Sequence, residues 1–212
     1  MKQEVERKSW ERDEIFSFFS RVSNPFYMLA FRQDVTKLVQ SSREHNRSFY
    51  YSMIYLSTKA LNSIDAFKYV IEGEKVYLLD ERIPSFTDMK KGSELFHIVT
   101  LPAHGSLDDF VEAAREKSKE QRGFIEYGLE QENLIYYSCT PWMEITAVTN
   151  EHDLMRPGAA DETIPRITWG KYHSEGSRIM IEVSMEVNHR VIDGFHIGQF
   201  HKKLGELIDI LG

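Results

Sequence analysis

The sequence predicts an α/β fold: a two-layer sandwich in which a mixed, mostly antiparallel sheet is packed by helices. Two observations point to this class. Apolar residues recur at helical spacing in four stretches, and runs of β-branched and aromatic residues separated by turn signals indicate strands and hairpins. Because the long strands are antiparallel and mixed with helices, a βαβ repeat is disfavoured.

The four helices are predicted at 34–44, 48–64, 106–121 and 194–211. The third begins with Ser106, and the acidic residue three positions later resembles a capping box. The last helix has one apolar stripe, which we expect to face the core: Phe200, Leu204, Leu207, Ile208 and Leu211.

Strands are predicted at 26–31, 95–101 and 134–140. Two hairpins are also expected. One turns at Gly73 within 69–79, and the other turns at Glu175-Gly176 between strands that run from 167 to 187. The segments 80–91 and 150–165 combine prolines with polar residues, and we expect them to be loops.

A chain of 212 residues without a repeat or a linker-like segment is expected to form one domain, residues 1–212. Its net charge of −7 argues against a nucleic-acid partner. No apolar run approaches the ~18 residues of a membrane span, and the charged start has no signal-peptide segment. The single cysteine, Cys139, permits no internal disulfide. We therefore expect a cytoplasmic protein with no membrane partner.

The clearest chemical signal lies between Val187 and His196. There His189 is expected to end a long strand, and Asp193-Gly194 to begin the last helix, which gives a His-x-x-x-Asp-Gly motif. A histidine fixed by a sheet, with an ordinary pKa of about 6.5, suits proton transfer at neutral pH. The residues alone leave two interpretations open, because Asp-Gly before a helix is also a common turn and cap.

The chain around this motif resembles the chloramphenicol acetyltransferase family from Trp10 almost to the C-terminus. The family signature is His-His-x-x-x-Asp-Gly-Phe-His; here Asn188 replaces the first histidine, and His189 is the second. Two more segments match in order: Ser-Trp-Glu-Arg at 9–12 resembles the family's Trp-x-Arg, and Ser-Cys-Thr-Pro-Trp at 138–142 resembles its Ser-x-x-Pro-Trp. His-x-x-x-Asp-Gly also occurs in dihydrolipoyl acyltransferases and condensation domains, so the specific resemblance depends on all three motifs.

The resemblance implies a chloramphenicol acetyltransferase-like fold and an acetyl-CoA-dependent O-acetyltransferase, nominally one that inactivates the antibiotic chloramphenicol. His189 would be the general base, and Ser138 would donate a hydrogen bond to the tetrahedral oxyanion. Arg12 would pair with Asp193 and fix the histidine loop. Acyl transfer from a thioester requires a base and an oxyanion donor. No covalent nucleophile is then needed, and Cys139 is expected to be a bystander.

The resemblance also implies binding residues. Tyr50 and Tyr172 would lie beside coenzyme A, and Thr168 would hold an active-site water. A family lysine near the coenzyme phosphates corresponds to Ser48, and Arg47 beside it could substitute. Acetyl-CoA is expected as the co-substrate, and no metal ion is expected.

In the acceptor pocket the sequence departs from the family. The implied pocket residues are Phe19, Tyr27, Phe96, His97 and Ile125. The family has a tyrosine at the first of these positions, a phenylalanine at the second, a serine at the fourth and a phenylalanine near the fifth. Each buried hydrogen-bonding group gained or lost is worth ~1–3 kcal/mol, so the acceptor preference is expected to differ.

Finally, the resemblance implies a homotrimer with active sites between subunits, in which His189 faces Ser138, Phe19 and Tyr27 of a neighbour. Pairing between subunits would also protect sheet edges. Three alternatives stay open: an acyltransferase for another acceptor, such as a different alcohol or a dihydrolipoyl thiol; a non-catalytic small-molecule-binding homologue; and a metal site. The metal site would use His189, Asp193, His196 and His201, but Gly194 interrupts the helix that would align them.

Overall fold

The structure, a computed structural model, describes residues 1–129 and 131–211. Its five α-helices are α1 (Asp13–Phe19), α2 (Thr36–Glu44), α3 (Phe49–Asn62), α4 (Leu107–Glu120) and α5 (Gly194–Asp209). Its strands are β1 (Lys2–Glu4), β2 (Phe26–Asp34), β3 (Tyr69–Glu72), β4 (Lys75–Leu79), β5 (Ile83–Met89), β6 (Phe96–Thr100), β7 (Leu134–Thr140), β8 (Arg166–Gly170), β9 (His173–Glu175) and β10 (Arg178–Asn188).

Seven strands form the main sheet, in the order β2-β10-β8-β7-β5-β6, with β9 also pairing with β10. Strand β7 runs parallel to both of its neighbours, whereas the other pairs are antiparallel. A smaller antiparallel sheet has the order β1-β4-β3. The predicted fold, a mixed and mostly antiparallel sheet packed by helices, is confirmed.

The main sheet has an apolar face and a polar face, because successive side chains of a strand point to opposite sides. On β10, Val183, Met185 and Val187 are buried among core residues that the helices also supply, whereas Ser184 and Glu186 lie on the other side. The strand register places further side chains on that side, which we call the open face: Ser85, Thr87, Ile98, Tyr136, Ser138, Arg166 and Thr168.

Part of the open face is covered by the segment that follows β7. The backbone N–H of Val148 donates to Oγ of Ser184 at 3.0 Å, and that of Asn150 donates to Oε2 of Glu186 at 2.9 Å. These bonds hold the start of the 150–165 segment, which is irregular except for one short 3-10 turn. The prediction of a loop there is confirmed.

The predicted helices are all present. Ser48 accepts a hydrogen bond from the N–H of Tyr51 at the start of α3, and Ser106 and Asp109 form the capping box of α4. In α5 the expected stripe packs on the core: Phe200, Leu204 and Ile208 are buried, with Leu207 and Leu211 partly buried beside them. No helix in the described part of the chain is long and apolar enough to cross a membrane.

The prediction of a loop at 80–91 is wrong, because β5 lies there, between β7 and β6. Its open-face side chains Ser85 and Thr87 are polar, which obscures the strand pattern. Pro84 lacks an N–H but keeps its carbonyl, which accepts a hydrogen bond from Leu101 at 3.4 Å. The sequence prediction also missed α1 and β1, which are only 7 and 3 residues long.

Candidate active site

His189 directly follows β10 and is held through its backbone. Its N–H donates to the carbonyl of Pro25 at 2.8 Å, and its own carbonyl accepts from Nη2 of Arg12 at 3.0 Å. The preceding Asn188 is buried, and its side-chain nitrogen donates to two carbonyls of the 150–165 segment. The asparagine at the position of the family's first histidine therefore ties that segment to the strand end that carries His189.

Arg12 and Asp193 form the predicted ion pair, with Nη1 and Oδ2 2.6 Å apart. The guanidinium also donates to the carbonyls of His189 and Arg190. Asp193 caps α5 by accepting from the N–H of Phe195. Burial alone would raise the pKa of Asp193, but the hydrogen bond from Arg12 and nearby positive charge hold it below its usual value. One ion pair thus joins the first helix, the histidine loop and the last helix.

Two aromatic rings lie against the imidazole of His189. The centroid of Phe19 is 4.0 Å away with an interplanar angle of 28°, and that of Tyr27 is 4.3 Å away at 38°. Two rings this close and this nearly parallel fit only on opposite faces of the imidazole. Burial, and next the charge of Arg12, lower the pKa of His189 below its usual value. The lowered pKa favours the neutral imidazole, the form that a general base requires.

The expectation that His189 meets Phe19 and Tyr27 of a neighbour is wrong, because both rings contact His189 of the same chain. The register explains the contact. Strand β2 pairs antiparallel with β10, and Tyr27 lies opposite Val187. The start of β2 therefore lies beside the end of β10, where His189 follows.

A second group of polar side chains lies in a row across three strands of the open face. Ser138 on β7 pairs in register with Thr168 on β8, and Thr87 on β5 lies on its other side. Oγ1 of Thr87 donates to Oγ of Ser138 at 3.4 Å. Oγ1 of Thr168 is buried and has no hydrogen-bond partner among the described residues, so it is free to bind a water or a ligand, as the prediction for Thr168 requires.

Two cavities meet at this row, and both are lined by Thr87, Phe96 and Ser138. The larger measures about 750 Å³ and includes Tyr50, Cys139, Pro141 and Trp142 in its lining. The smaller measures about 340 Å³ and includes Ser85, Ile98, Asn150, Arg166 and Thr168. Ser138 is therefore exposed to two adjoining spaces, an arrangement suited to two substrates that react at one point.

The two tyrosines predicted to bind coenzyme A occupy different places. Tyr50 lines the larger cavity, its hydroxyl donates to the carbonyl of Thr87 at 2.6 Å, and burial raises its pKa well above the usual value. Tyr172 packs edge-on against Phe49, with ring centroids 5.1 Å apart. Arg47 pairs with the carboxylate of Asp108, which neutralises the charge that a coenzyme phosphate would need.

Of the predicted acceptor residues on the Ser138 side, Phe96 lines both cavities. His97, the next residue along β6, points to the opposite face, where its Nε2 lies 3.0 Å from Oγ of Ser118 on α4. The prediction that His97 lines the pocket is therefore wrong, for the reason that strand side chains alternate. Ile125 follows Phe124, whose carbonyl accepts a hydrogen bond from β6 and whose ring contacts Phe96.

Cys139 is a neutral thiol, because burial raises its pKa to about 12. Within residues 1–129 and 131–211, no group of three or more His, Cys, Asp or Glu side chains is arranged to hold a metal ion. His196, one of the residues of the metal hypothesis, has a structural contact instead: its Nδ1 accepts from the N–H of Asp193 at 3.1 Å.

His189 and Ser138 are far apart within one chain. Ser184 is in register with Thr168, and Thr168 with Ser138. At about 3.3 Å per residue and about 4.8 Å per strand, His189 lies about 16 Å along β10 and two strands, about 10 Å, across from Ser138. The resulting separation of about 19 Å exceeds any direct contact. The site residues therefore fall into two separate sets, which we call half-sites. The first is His189 with Phe19 and Tyr27, and the second is Ser138 with Thr87 and Thr168.

Comparison with known proteins relates the whole chain to one family. A model of the family described as chloramphenicol acetyltransferase matches residues 2–205. The chain is 30% identical to chloramphenicol acetyltransferase 3 of Escherichia coli over 203 residues, which is 94% of this chain and 93% of that protein. It is 27% identical to a chloramphenicol acetyltransferase of Clostridium perfringens over 213 residues, 98% of each chain.

Solved structures show the same fold. A chloramphenicol acetyltransferase superposes with a TM-score of 0.87 at 24% identity, covering 98% of this chain and all of that one. The dihydrolipoamide acetyltransferase of Azotobacter vinelandii superposes with a TM-score of 0.67 at 18% identity, covering 93% of this chain and 86% of that one. Both half-sites lie within the matched region.

Proposed function

Because the chain belongs to the chloramphenicol acetyltransferase family, we propose that it transfers the acetyl group of acetyl-CoA to a hydroxyl of a small alcohol, with chloramphenicol as the first candidate acceptor. The protein is an O-acetyltransferase of this family. The observation that carries the proposal is the histidine loop: His189 is fixed through Arg12 and Asp193 and is kept neutral by burial.

In the proposed reaction, a ring nitrogen of His189 takes the proton of the acceptor hydroxyl. At the same time, the oxygen of that hydroxyl attacks the carbonyl carbon of the thioester. Ser138 donates a hydrogen bond to the carbonyl oxygen as it becomes negative. The carbon–sulfur bond then breaks, and His189 returns the proton to the departing sulfur. The products are the acetyl ester and free coenzyme A, and no enzyme group is acylated.

We further propose that each active site combines the His189 half-site of one subunit with the Ser138 half-site of the next. The separation of about 19 Å within one chain supports this, because a base and an oxyanion donor must both reach the same reacting carbon. A contact between two different half-sites is heterologous, and heterologous contacts form a closed ring when the rotation between subunits closes. The ring implied by the family resemblance is a homotrimer.

Exposed apolar side chains beside each half-site support such an interface. Next to His189, Phe18 is 65% exposed and its ring contacts that of Phe19. Beside Ser138, Trp142 is 68% exposed and lines the larger cavity, and Phe96, which lines both cavities, is 50% exposed. Exposed apolar residues concentrated around functional groups are typical of surfaces that a partner covers.

Tyr50 and Thr168 are the proposed contacts with coenzyme A and with a bound water. Tyr50 lines the larger cavity, and the Thr168 hydroxyl has no protein partner in the described chain. Tyr172, whose ring packs on Phe49, is proposed as a further coenzyme contact. No metal takes part in the proposed chemistry.

A different alcohol is a second candidate acceptor, and one observation favours it. Ser85, Asn150 and Arg166 bring polar groups into the smaller cavity. Arg166 is largely buried and pairs with Glu162 at 2.7 Å. A cavity with these groups accepts an alcohol that carries polar substituents near the reacting hydroxyl.

A thiol-release assay with acetyl-CoA and a panel of alcohols that includes chloramphenicol tests the activity. Dihydrolipoamide is tested as a further acceptor. Because its own thiols would obscure the release of coenzyme A, transfer to it is detected by the mass of the product. We expect acceptor-dependent release with at least one alcohol. Release that never depends on an acceptor would contradict the proposal and favour a binding protein.

Location and biological effect are tested in cells. We propose a cytoplasmic enzyme, in keeping with its single, partly buried cysteine thiol. If chloramphenicol is the acceptor, expression in a susceptible bacterium raises the inhibitory concentration of the antibiotic, and a His189→Ala variant does not. An equal increase with both proteins would exclude acetylation as its cause.

A further inference from the structure

We propose that Thr87 is a positioning residue for Ser138: its hydroxyl donates to the Ser138 oxygen and so leaves the Ser138 proton free for the oxyanion. The inference rests on the proposed role of Ser138. Thr87 belongs to none of the three sequence motifs, and it lies in the segment that the sequence predicted to be a loop.

The strand pairing places the two hydroxyls side by side. Strands β5 and β7 are parallel, and Phe86 lies opposite Tyr137, so the next residues, Thr87 and Ser138, both fall on the open face. The two hydroxyl oxygens are 3.4 Å apart, with Thr87 as the donor. No other hydrogen-bond partner of the Ser138 hydroxyl lies among residues 1–129 and 131–211.

A serine hydroxyl has one proton and two lone pairs. When Thr87 donates to one lone pair, that direction is closed to the Ser138 proton, which must point elsewhere. On the other side of Ser138, Thr168 has a buried hydroxyl with no protein partner in the described chain, so no protein acceptor captures the proton there either. The proton is directed to the junction of the two cavities. Donation to a hydroxyl also strengthens the hydrogen bond that this hydroxyl gives.

Thr87 is itself fixed from the helical layer. Its carbonyl accepts from the hydroxyl of Tyr50 at 2.6 Å. Tyr50 is on α3, and its ring packs on Phe86 and Trp169 at centroid distances of 6.0 and 5.7 Å. The backbone of Thr87 is therefore held from the helical side of the sheet. The Thr87 side chain has a fixed partner, Ser138, on the open face.

The test is a double-mutant cycle with Thr87→Val and Ser138→Ala, assayed with acetyl-CoA and an acceptor from the panel. Valine keeps the shape and the strand preference of threonine and removes only the donor. We expect Thr87→Val to lower kcat by ~3–10-fold, the effect of one neutral hydrogen bond, with KM for acetyl-CoA unchanged. In the Ser138→Ala background the same change should cause no further loss. Thr87→Ser, which keeps the donor, should restore kcat.

Thr100→Val is the matched control. Oγ1 of Thr100 donates to Oγ of Ser85 at 2.8 Å, a bond of the same kind between neighbouring strands of the same sheet. Its removal should show no energetic coupling to Ser138→Ala. Any loss of kcat through general weakening of the sheet would appear in this control as well.

The outcomes separate the inference from the function on which it rests. Suppose that Ser138→Ala causes a large loss of kcat. If Thr87→Val then has the same effect in the Ser138→Ala background, or changes only KM, the positioning role of Thr87 is overturned and the proposed acetyltransferase function stands. An unchanged rate in Ser138→Ala overturns the proposed role of Ser138 and, with it, the inference about Thr87. Failure of Thr87→Ser to restore kcat also contradicts the inference.

Discussion

At the scale of single residues, the environment of His189 determines when it can act as a base. The imidazole lies between two aromatic rings and near the guanidinium of Arg12. Both burial and that positive charge disfavour the imidazolium, whereas Asp193 favours it more weakly, and the pKa of His189 falls below its usual value.

A pH profile of kcat/KM tests this environment. A base is active when deprotonated, so a lowered pKa keeps His189 active at pH values where an ordinary histidine is already protonated. We expect kcat/KM to be constant around pH 7 and to fall with acid around a pKa below 6.5. A fall centred above about 6.5, the ordinary value for histidine, would contradict the proposed environment.

The role of His189 itself is tested by His189→Ala. Loss of a general base lowers turnover by ~10²–10⁴-fold, and the fold should persist, because the backbone bonds of His189 to Pro25 and Arg12 remain possible. His104→Ala is the control, since His104 is exposed and pairs with Glu81 at the surface. Near-wild-type turnover in His189→Ala would remove this residue from the mechanism.

Tyr27 carries a predicted effect on stability. Its hydroxyl is buried without a hydrogen-bond partner in the described chain, and an unsatisfied buried hydroxyl costs ~1–3 kcal/mol. Tyr27→Phe should therefore raise the free energy of unfolding, measured with urea. Tyr55→Phe, which removes a hydroxyl bonded to the carbonyl of Gly105, should not. A less stable Tyr27→Phe protein would mean that the hydroxyl has a partner.

Contacts between residues of recognisable motifs could be predicted from the sequence, whereas contacts that depend on the face of a strand could not. The family resemblance implied the Arg12–Asp193 pair from two motifs at opposite ends of the chain, and the two side chains form an ion pair in the structure. Thr87 was missed because its strand, β5, was predicted to be a loop. His97 lies on a predicted strand, but the family resemblance placed it in the pocket, whereas side-chain alternation along β6 turns it to the helical face. The alternation Ser85-Phe86-Thr87 was the available signal for β5.

At the scale of elements, three parts of the fold meet at Arg12. It lies at the start of α1, binds the carbonyls after β10, and pairs with the residue that caps α5. The lowered pKa of Asp193 means that this arrangement stabilises the protein at neutral pH, and that the contribution is lost as the pH falls through the pKa of the folded protein.

A double-mutant cycle with Arg12→Met and Asp193→Asn measures this link. We expect a coupling energy of unfolding of ~1–3 kcal/mol, below that of a fully buried pair because Asp193 is 31% exposed. Arg12→Lys should not rescue stability, since an ammonium cannot make the three fixed hydrogen bonds of the guanidinium. A coupling of zero would exclude the pair as the support of the histidine loop.

Gly170 tests how the segment after β7 is placed. A Cβ on Gly170 would lie 2.9 Å from the backbone of Met143 and from Ile145, too close without movement of that segment, which follows Trp142. Gly170→Ala should destabilise the protein by ~1–3 kcal/mol and raise KM for acetyl-CoA. Gly128→Ala, where the added Cβ meets open space, is the control. Equal behaviour of the two variants would contradict this packing.

The long, regular elements were predictable, and the short ones were not. The stripe of α5 and the strand at 134–140 carry strong periodicity and apolar content, and both are present. Strand β5 has polar side chains on the open face and a proline at its second position, so its sequence resembles that of a loop. Its place inside the sheet, between β7 and β6, depends on pairing with β7, which is distant in sequence.

At the scale of the whole molecule, the central claim is that one chain holds two separate half-sites. His189 and Ser138 are about 19 Å apart, and each half-site is bordered by exposed apolar side chains. The site residues proposed for catalysis are then complete only where two subunits meet, and an isolated subunit should be inactive.

Joint refolding of two inactive variants tests this claim most directly. His189→Ala subunits retain Ser138, and Ser138→Ala subunits retain His189. If the two are unfolded, mixed in equal amounts and refolded into trimers, about a quarter of the interfaces should contain both groups, and activity should return to about that fraction of refolded wild type. Each variant refolded alone should stay inactive. No recovery in the mixture while wild type refolds fully, or a fully active monomer in sedimentation, would contradict the shared site.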